Sequence, residues 1–430
     1  MAVGGYRNEI AGLAARLTDP GDFDVLLDRV GAARVVMLGE ASHGSHEFYR
    51  WRATLTQRLI DELGFSFVAV EGDWPDCDRV DRSVRCRAGA PSDPRAALTR
   101  FDRWPTWMWA NEEVVDFCRW LRARNAGLDE ATRAGFHGLD VYSLWESLLE
   151  IVAHLREHDP DQMPAALEAY RCFEPYGEDP QRYALATRFV PTGCENEVVD
   201  LLVDVRQRAA SDGAGRFGAW QNAEVVVGAE RYYRAMVRGG PQSWNVRDQH
   251  MADTLDRLLD HYGPGSKAVV WAHNTHVGDA RATTMVHTGM VNIGELGRER
   301  YGADQVVLVG FGCHHGEVVA APAWGAPMEV MRVPPARRGS LETVLHDGAP
   351  ARAVFVFPGD DSLDLLTDRL GHRAIGVVYD PATEHWGNYV PTVLGERYDA
   401  FCWFDEAGPV HPLHPARVDA REPETYPTGL

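Results

Sequence analysis

The sequence predicts an α/β fold in which a mostly parallel central sheet is flanked by helices and a helical insertion covers an active-site cleft. Short apolar runs rich in β-branched residues recur along the chain, a helical pattern follows the early runs, and a long central stretch shows helical patterns alone. Because the runs are almost continuously apolar, we expect strands buried on both faces. The runs are Arg34–Gly39, Phe65–Val70, Gly135–Leu139, Lys267–Ala272, Gln305–Phe311, Ala353–Phe357 and Ala374–Tyr379.

The segment after the first run predicts a helix over His46–Leu63. Its residues Phe48, Leu55 and Leu59 recur at spacings that place them on one helix face. Gly64 follows as a C-cap, because glycine adopts the left-handed conformation that often ends a helix. The first two runs and this helix therefore form a strand, loop, helix and strand unit.

The domain organisation follows from where the strand signals stop. Residues 1–142 form the first part of the α/β domain and residues 263–413 the second part. Between them, residues 143–262 carry amphipathic helical patterns interrupted by prolines, which predicts a helical lobe that walls a cleft. Residues 414–430 are polar and proline-rich and are expected to form a surface tail.

The charge of the chain limits the classes of molecule that it can bind. The 430 residues carry 43 basic and 63 acidic side chains, a net charge of −20, and the basic residues form no long run. Nucleic acids and anionic membrane surfaces are therefore poor partners.

Cysteine usage and hydropathy point to a cytoplasmic protein. The seven cysteines are odd in number, widely scattered and free of C-x-x-C pairs, so no disulfide framework or zinc knot is expected. The N-terminal residues lack the pattern of a signal peptide, and no stretch approaches 18 consecutive apolar residues. We therefore expect a reducing cytoplasm and no membrane span.

Titratable side chains follow four of the predicted strands. Taken singly, an acid there could cap a helix and a histidine could be a hydrogen-bonded core residue. Because the carboxyl ends of parallel strands share one sheet edge, we expect the side chains to meet there, and burying several acids beside histidines is costly unless a site uses them. The residues are Glu40, His43, Glu71, Asp140, His273 and His276.

His43 is the candidate general base. It is followed by Gly44 and lies near carboxylates in sequence, as suits a histidine that removes a proton from water. Either Glu40 or Glu71 could fix its tautomer and stabilise the imidazolium. Arg52, nine residues later, could hold one of these carboxylates, contact a substrate carbonyl oxygen, or form a surface salt bridge.

A metal site is the alternative interpretation of the same residues. The ligands would be His43, His273, His276 and Glu71, which are types that Zn²⁺ accepts. The H-E-x-x-H pattern of zincins is missing, however, and loop histidines serve equally well as hydrogen-bond donors to a transition state. We expect no cofactor, with a divalent metal left as the alternative.

Two further motifs are not matched by the sequence. No G-x-S-x-G is present, and the glycines of Gly310–Gly316 do not match a dinucleotide loop because a strand-like run follows them. In that segment, His314 and His315 are predicted to lie in a strand-end loop and could line the cleft. The cluster Trp104, Trp107 and Trp109 could wall a site for an apolar ligand or pack in the core.

These residues lie in motifs that resemble the erythromycin esterase family, enzymes that hydrolyse the lactone ester of macrolide antibiotics. The resemblance spans residues 30 to 410 and rests on LGEASHG, VEGDWPD, FHGLDVYS, WNVRDQHMADTL, VWAHNTHVGDAR, GFGCHHGEVVAA, GSLETVLH and GVVYDPATEHWGNYV. It implies a helical lobe over an α/β sheet with a deep cleft between them. By position, it places the catalytic residues at His43, Glu40, Glu71, Arg52, His273 and His276.

The resemblance also implies the chemistry and the class of substrate. We expect hydrolysis of a carboxylic ester or macrolactone by His43-activated water, with macrolide resistance as one outcome. Candidate substrate contacts are Asp140, Trp107, Arg247 and His315. The alternatives are a metal-dependent hydrolase and a biosynthetic relative that binds or transfers an acyl group to a polyketide or saccharide.

Overall fold

The computed structural model describes residues 6–176, 180–187, 193–209, 214–359 and 362–415. Most of the predicted surface tail, residues 416–430, lies outside the described residues. The strands are β1 (Ala14–Arg16), β2 (Val35–Leu38), β3 (Phe67–Asp73), β4 (Gly135–Asp140), β5 (Ala268–Trp271), β6 (Val306–Ala320), β7 (Glu329–Val333), β8 (Arg352–Val356), β9 (Arg369–Arg373), β10 (Tyr389–Val393) and β11 (Ala400–Ala407).

Helices alternate with the early strands and fill the centre of the chain. They are α1 (Arg7–Leu13), α2 (Asp24–Val30), α3 (His46–Leu63), α4 (Trp74–Val84), α5 (Arg95–Leu98), α6 (Glu112–Asn125), α7 (Leu144–His158), α8 (Met163–Phe173), α9 (Pro180–Thr187), α10 (Glu195–Ala209), α11 (Ala214–Met236), α12 (Gln242–Tyr262), α13 (Asn274–Val277), α14 (Ile293–Tyr301), α15 (Leu341–Gly348), α16 (Asp364–Thr367), α17 (Glu384–Gly387) and α18 (Leu394–Arg397). The predicted helix His46–Leu63 is confirmed as α3, and Gly64 caps it with a left-handed φ of +70°.

The predicted α/β class and mostly parallel sheet are confirmed. Within the described residues, one sheet has the order β1-β8-β11-β6-β2-β5-β3-β4, and β7 pairs with β6 outside this path. The strands from β11 to β4 in that order run parallel, whereas β1, β7 and β8 pair antiparallel with their neighbours. Strands β2 to β5 are fully buried, as their apolar composition predicts.

Side chains alternate between two cores along the central strands. Val36 and Val269 face a core shared with α3 and α6, while Val35 and Val270 face a core shared with α12 and α14. Alternation places successive side chains on opposite faces, so helices cover both sides of the sheet.

The central helices form a separate core. Residues of α7, α8, α9, α10 and α11 pack together, joined by Val141 and Tyr142 at the end of β4. Helix α12, within the predicted lobe of residues 143–262, packs instead against the sheet through Met251 and Leu255. No helix of the described ranges is both long and apolar enough to cross a bilayer.

Two local predictions are wrong. Ala374–Tyr379 forms no strand: Ile375 and Val378 make only isolated bridges to Ser42 and Ala321, because both edges of β6 are already paired with other strands. The segment Gln305–Phe311 does not end in a loop, since β6 continues to Ala320 and carries His314 and His315 within the strand.

The cysteines depart from the expectation in one place. A disulfide joins Cys172 in α8 to Cys194, which directly precedes α10. It lies in the helical core, where the sequence offers no spacing pattern that would identify a pair. The other described cysteines are free.

Substitution of Leu308 tests the core that the sheet shares with α12 and α14. It is fully buried in β6, so Leu308→Ala should lower the free energy of unfolding by about 2–5 kcal/mol through lost contacts and the residual cavity. Leu149→Ala, at a leucine that is 53% exposed, should change it by less than about 0.5 kcal/mol. Urea unfolding followed by circular dichroism measures both, and equal losses would contradict the core assignment.

Candidate active site

The strand order brings the four titratable strand ends to one edge of the sheet. Strand β5 lies between β2 and β3, so the residues after β5 reach both neighbours. The amide N of His273 donates to Glu71 Oε2 at 2.8 Å, and the amide N of Asn274 donates to the Glu40 carbonyl at 2.8 Å. Backbone hydrogen bonds thereby tie three of the four strand ends together.

His43 is held by a buried carboxylate. Its Nδ1 donates to Glu40 Oε1 at 3.0 Å, and Glu40 is completely buried. The hydroxyl of Tyr49 donates to the His43 carbonyl at 3.1 Å. Because Nδ1 carries the proton, the lone pair of His43 is on Nε2, and the side chain retains 9% exposure. Glu40, rather than Glu71, fixes the tautomer.

The loop that carries His43 packs tightly against β6. A Cβ at Gly44 would lie 1.9 Å from the Val319 carbonyl oxygen, and the Val319 amide donates to the Gly44 carbonyl at 3.1 Å. Only glycine allows this approach. The close contact fixes the path of the backbone next to His43.

Arg52 pairs with the same carboxylate from α3. Its Nη2 lies 3.1 Å from Glu40 Oε2, and the side chain is fully buried. The guanidinium lies over the rings of Tyr49 and Trp271, at 4.6 and 4.9 Å from their centroids. Of the roles that the sequence leaves open for Arg52, this geometry fits the one that holds a carboxylate.

Glu71 forms a second buried network with Arg247 and Asp140. Arg247 Nη2 donates to Glu71 Oε1 at 2.8 Å, and the same guanidinium binds both oxygens of Asp140 at 2.6 and 2.9 Å. Burial raises the pKa of Glu71, but His276, Arg247 and His43 outweigh it and hold that pKa well below its usual value. Glu71 is therefore ionised.

His276 lies behind Glu71, with Nδ1 bonded to Asp248 and Nε2 close to both Glu71 and Arg247. Nδ1 bonds Asp248 at 2.9 Å, and Nε2 faces Glu71 Oε1 at 3.4 Å and Arg247 Nη1 at 3.1 Å. Its ring stacks on Trp244 with centroids 4.4 Å apart. Burial lowers the pKa of His276, but Asp248 and Glu71 more than compensate and raise it to about 9. At neutral pH, Nε2 is therefore protonated and directed at Glu71.

His273 faces His43 and offers a donor. Its ring centroid lies 4.9 Å from that of His43. Burial lowers the pKa of His273 well below its usual value, and the neighbouring His43 lowers it further, so the ring is neutral. Nδ1 lies 2.8 Å from Thr275 Oγ1 and accepts from the Thr275 amide at 3.3 Å, an arrangement in which the proton is on Nε2. That buried Nε2 makes no well-formed hydrogen bond to the described residues, although the Ala41 carbonyl lies near enough to the ring to favour its protonated form.

Two of the predicted substrate contacts, Trp107 and His315, pack against neighbouring rings. Trp107 is buried and packs edge-on against Trp104, whereas its neighbour Trp109 reaches the site and donates to the Glu71 carbonyl at 3.0 Å. His315 lies in β6, and its ring contacts that of His314. Asp140 and Arg247, the other two, lie within the buried network.

The sequence analysis did not identify Asp248, a further carboxylate of this network. Asp248 and Trp244 lie in the quoted WNVRDQHMADTL motif, four residues apart in α12. Residues at that spacing share a helix face, which also includes Arg247 three residues after Trp244. This signal could have identified them.

The charge state of His276 gives a pH prediction. Its pKa of about 9 exceeds the unfolded value of about 6.5, so its stabilisation is fully present below pH 6.5 and is lost as the pH rises through 9. This loss should reach about 3 kcal/mol. In Asp248→Asn the decline should largely disappear, because the neutral amide no longer favours the imidazolium.

Unfolding free energies measured from pH 6 to 9.5 test this prediction. Asp253→Asn, at a carboxylate with 49% side-chain exposure on the same helix, should keep the wild-type slope. An equally steep decline in Asp248→Asn would contradict the role of Asp248.

Known proteins are similar to this chain in sequence. The family model for erythromycin esterase matches residues 60–407. The putative hydrolase YbfO of Bacillus subtilis is 20% identical over 87% of this chain and 84% of its own length, and erythromycin esterase type II of Escherichia coli is 23% identical over 78% and 83%.

Solved structures share the fold at low sequence identity. A Bacillus cereus protein superimposes with a TM-score of 0.80 at 17% identity, covering 96% of this chain and all of that one. A succinoglycan biosynthesis protein gives 0.78 at 19% identity, covering 94% and 97%, and an erythromycin esterase mutant in its open conformation gives 0.66 at 19% identity, covering 92% and 98%. The family match spans most of the chain and includes the strand ends after β3, β4 and β5, whereas Glu40, His43 and Arg52 precede the matched range. The protein belongs to the erythromycin esterase family, which supports a hydrolase-type function.

Proposed function

We propose that this protein hydrolyses a carboxylic ester or macrolactone with a water molecule activated by His43. The observation that carries the proposal is the pair of facing histidines with opposite hydrogen-bonding capacities. Glu40 holds His43 so that Nε2 can accept a proton, and Thr275 holds His273 so that Nε2 can donate one. A base and an oxyanion donor at one strand edge are the parts that ester hydrolysis needs.

The reaction proceeds through a tetrahedral intermediate. His43 Nε2 removes a proton from water as the water oxygen attacks the ester carbonyl carbon. The Nε2–H of His273 donates a hydrogen bond to the carbonyl oxygen as that oxygen gains negative charge, and the proton stays on Nε2. When the carbon to alkoxide bond breaks, the His43 imidazolium returns its proton to the departing alkoxide, and the products are a carboxylic acid and an alcohol.

Buried charged groups of both signs surround His43. They are four carboxylates, two guanidiniums and one imidazole, namely Glu40, Glu71, Asp140, Asp248, Arg52, Arg247 and His276. Because these groups are buried, their interactions are screened little by solvent. Glu71, Arg247, His276 and Asp248 act as positioning residues, since their contacts are with each other and with the His273 backbone.

The donor geometry gives less support to a metal-dependent mechanism. His276 Nδ1 is bonded to Asp248, and Glu71 uses both oxygens in bonds to Arg247 and to the His273 amide. Among the described residues, the clusters whose ligand atoms lie within 4.8 Å of one another involve other side chains. His43, His273, His276 and Glu71 would have to exchange several buried hydrogen bonds for a cation.

Substitution of the base tests the mechanism. His43→Ala should reduce kcat by about 10² to 10⁴-fold on a substrate that the wild-type protein hydrolyses, because the general base is lost. Glu40→Gln should also reduce kcat, since the amide cannot stabilise the imidazolium. His287→Asn, at an exposed histidine, is the control and should keep the wild-type rate.

Circular dichroism and thermal unfolding establish that the variants fold. Near wild-type turnover by folded His43→Ala would exclude His43 as the base. Unchanged Glu40→Gln with an inactive His43→Ala would remove only the role given to Glu40.

We propose a large hydrophobic ester or macrolactone as substrate, including macrolide antibiotics whose ring opening would confer resistance. Two observations support this substrate class. A relative is named erythromycin esterase type II. The helical core begins at Val141 and Tyr142, directly after the strand end that holds Asp140. A large apolar ring needs such a wall, because its binding energy comes from buried apolar surface.

A substrate panel tests this class. Incubation with 14-membered macrolides, smaller lactones and aryl esters should yield a product one water heavier from the macrolides, measured by mass spectrometry. Candidate alcohol acceptors in the same mixtures should not appear in the products. Acyl transfer to an acceptor would favour a biosynthetic role. This alternative is included because one structural neighbour is named a succinoglycan biosynthesis protein. Turnover of aryl esters alone would contradict the large substrate and leave the esterase chemistry intact.

A further inference from the structure

Two histidines of β6 lie beside an aspartate of β11. His314 and His315 are adjacent in β6, with their Nδ1 atoms 3.2 Å apart, and Asp405 lies on β11. One carboxylate oxygen of Asp405 and one ring nitrogen of each histidine lie within 4.8 Å of one another. We propose that His314, His315 and Asp405 bind a divalent d-block cation such as Zn²⁺.

The spacing of the two nitrogens suits such an ion. Zn²⁺ binds imidazole nitrogens at about 2.0–2.1 Å, so two ligands of a tetrahedral site lie about 3.3 Å apart. The Nδ1 atoms of His314 and His315 are already at that spacing. The carboxylate of Asp405 is 30% exposed and needs only a side-chain rotation to complete three ligands, with water as the fourth.

The backbone explains how adjacent residues reach this arrangement. Gly316 has a φ of +135°, and a Cβ there would lie 1.9 Å from the Ala407 carbonyl oxygen on β11. This conformation and this contact both require glycine. The two strands therefore approach closely beside His315, which brings Asp405 near the histidines.

His346 contacts both His314 and Asp405. The ring of His346 stacks on that of His314 with centroids 3.8 Å apart, and its Nδ1 bonds Asp405 Oδ1 at 2.5 Å. Such an outer hydrogen bond orients a metal-binding carboxylate. Arg373 donates to the His314 carbonyl, but its charge is paired with Glu384.

A second cluster of similar composition fits a cation less well. His46 and His411 each bond Glu113 Oε1 through Nδ1, at 2.6 and 2.7 Å. These bonds use both Nδ1 protons, and the bond to Glu113 raises the pKa of His46. The imidazoles are satisfied as donors without a metal. His314 and His315, by contrast, face each other with two nitrogens that can share only one proton.

Zinc titration of the metal-stripped full chain tests the proposal. Calorimetry at pH 7.5 should show one equivalent bound by the wild-type protein. Asp405→Asn and His315→Gln should each bind at least tenfold more weakly, and zinc should raise the Tm of the wild-type protein more than that of either variant. His411→Gln, in the second cluster, is the matched control and should bind as the wild-type protein does.

The variants also locate the ion. Absence of zinc binding by the wild-type protein would overturn the proposal, as would wild-type affinity in folded Asp405→Asn. Loss of binding in His411→Gln would assign the ion to the second cluster, and retention in every variant would assign it elsewhere. Co²⁺ substitution gives a further readout, because its visible spectrum should indicate nitrogen and oxygen ligands in the wild-type protein and change in His315→Gln.

Discussion

The insertion of β5 between β2 and β3 is the constraint on which the site depends. Parallel pairing on both edges of β5 fixes the position of His273 to within a hydrogen bond of each neighbouring strand end. The same pairing brings Asn274 to the Glu40 carbonyl. Because both links are donated by backbone amides at the end of a buried strand, one to the Glu71 carboxylate and one to the Glu40 carbonyl, the fold itself positions His273 beside the other strand ends.

Buried charge is the cost of this arrangement. Glu40, Glu71 and Asp248 lie out of solvent, and each is stabilised by an arginine or a histidine rather than by water. Buried ion pairs add little net stability compared with apolar packing, but removal of one partner is strongly destabilising. The large hydrophobic cores on both faces of the sheet must therefore supply the stability that the polar edge does not.

Much of this organisation follows from local sequence patterns. The apolar runs predicted the central strands, and Gly64 predicted the end of α3, because burial on both faces and a left-handed cap each leave a local signature. Strand β11, which lies between β8 and β6, and the continuation of β6 were missed. In β6, glycine and histidine interrupt the apolar pattern. Ala374–Tyr379 misled because its side chains Ile375 and Tyr379 are buried against β6 and β7, while its backbone makes only isolated bridges.

The sequence by itself determined the class of the fold and the residue types at its strand ends, because periodicity and composition are local properties. Tertiary structure decided which carboxylate serves which histidine. Glu40 pairs with His43 within one loop, but the partner of His276 is Asp248, which comes from α12 and approaches only through helix packing against the sheet. Spacing along the chain does not specify such distances, and the charge state of each histidine depends on them.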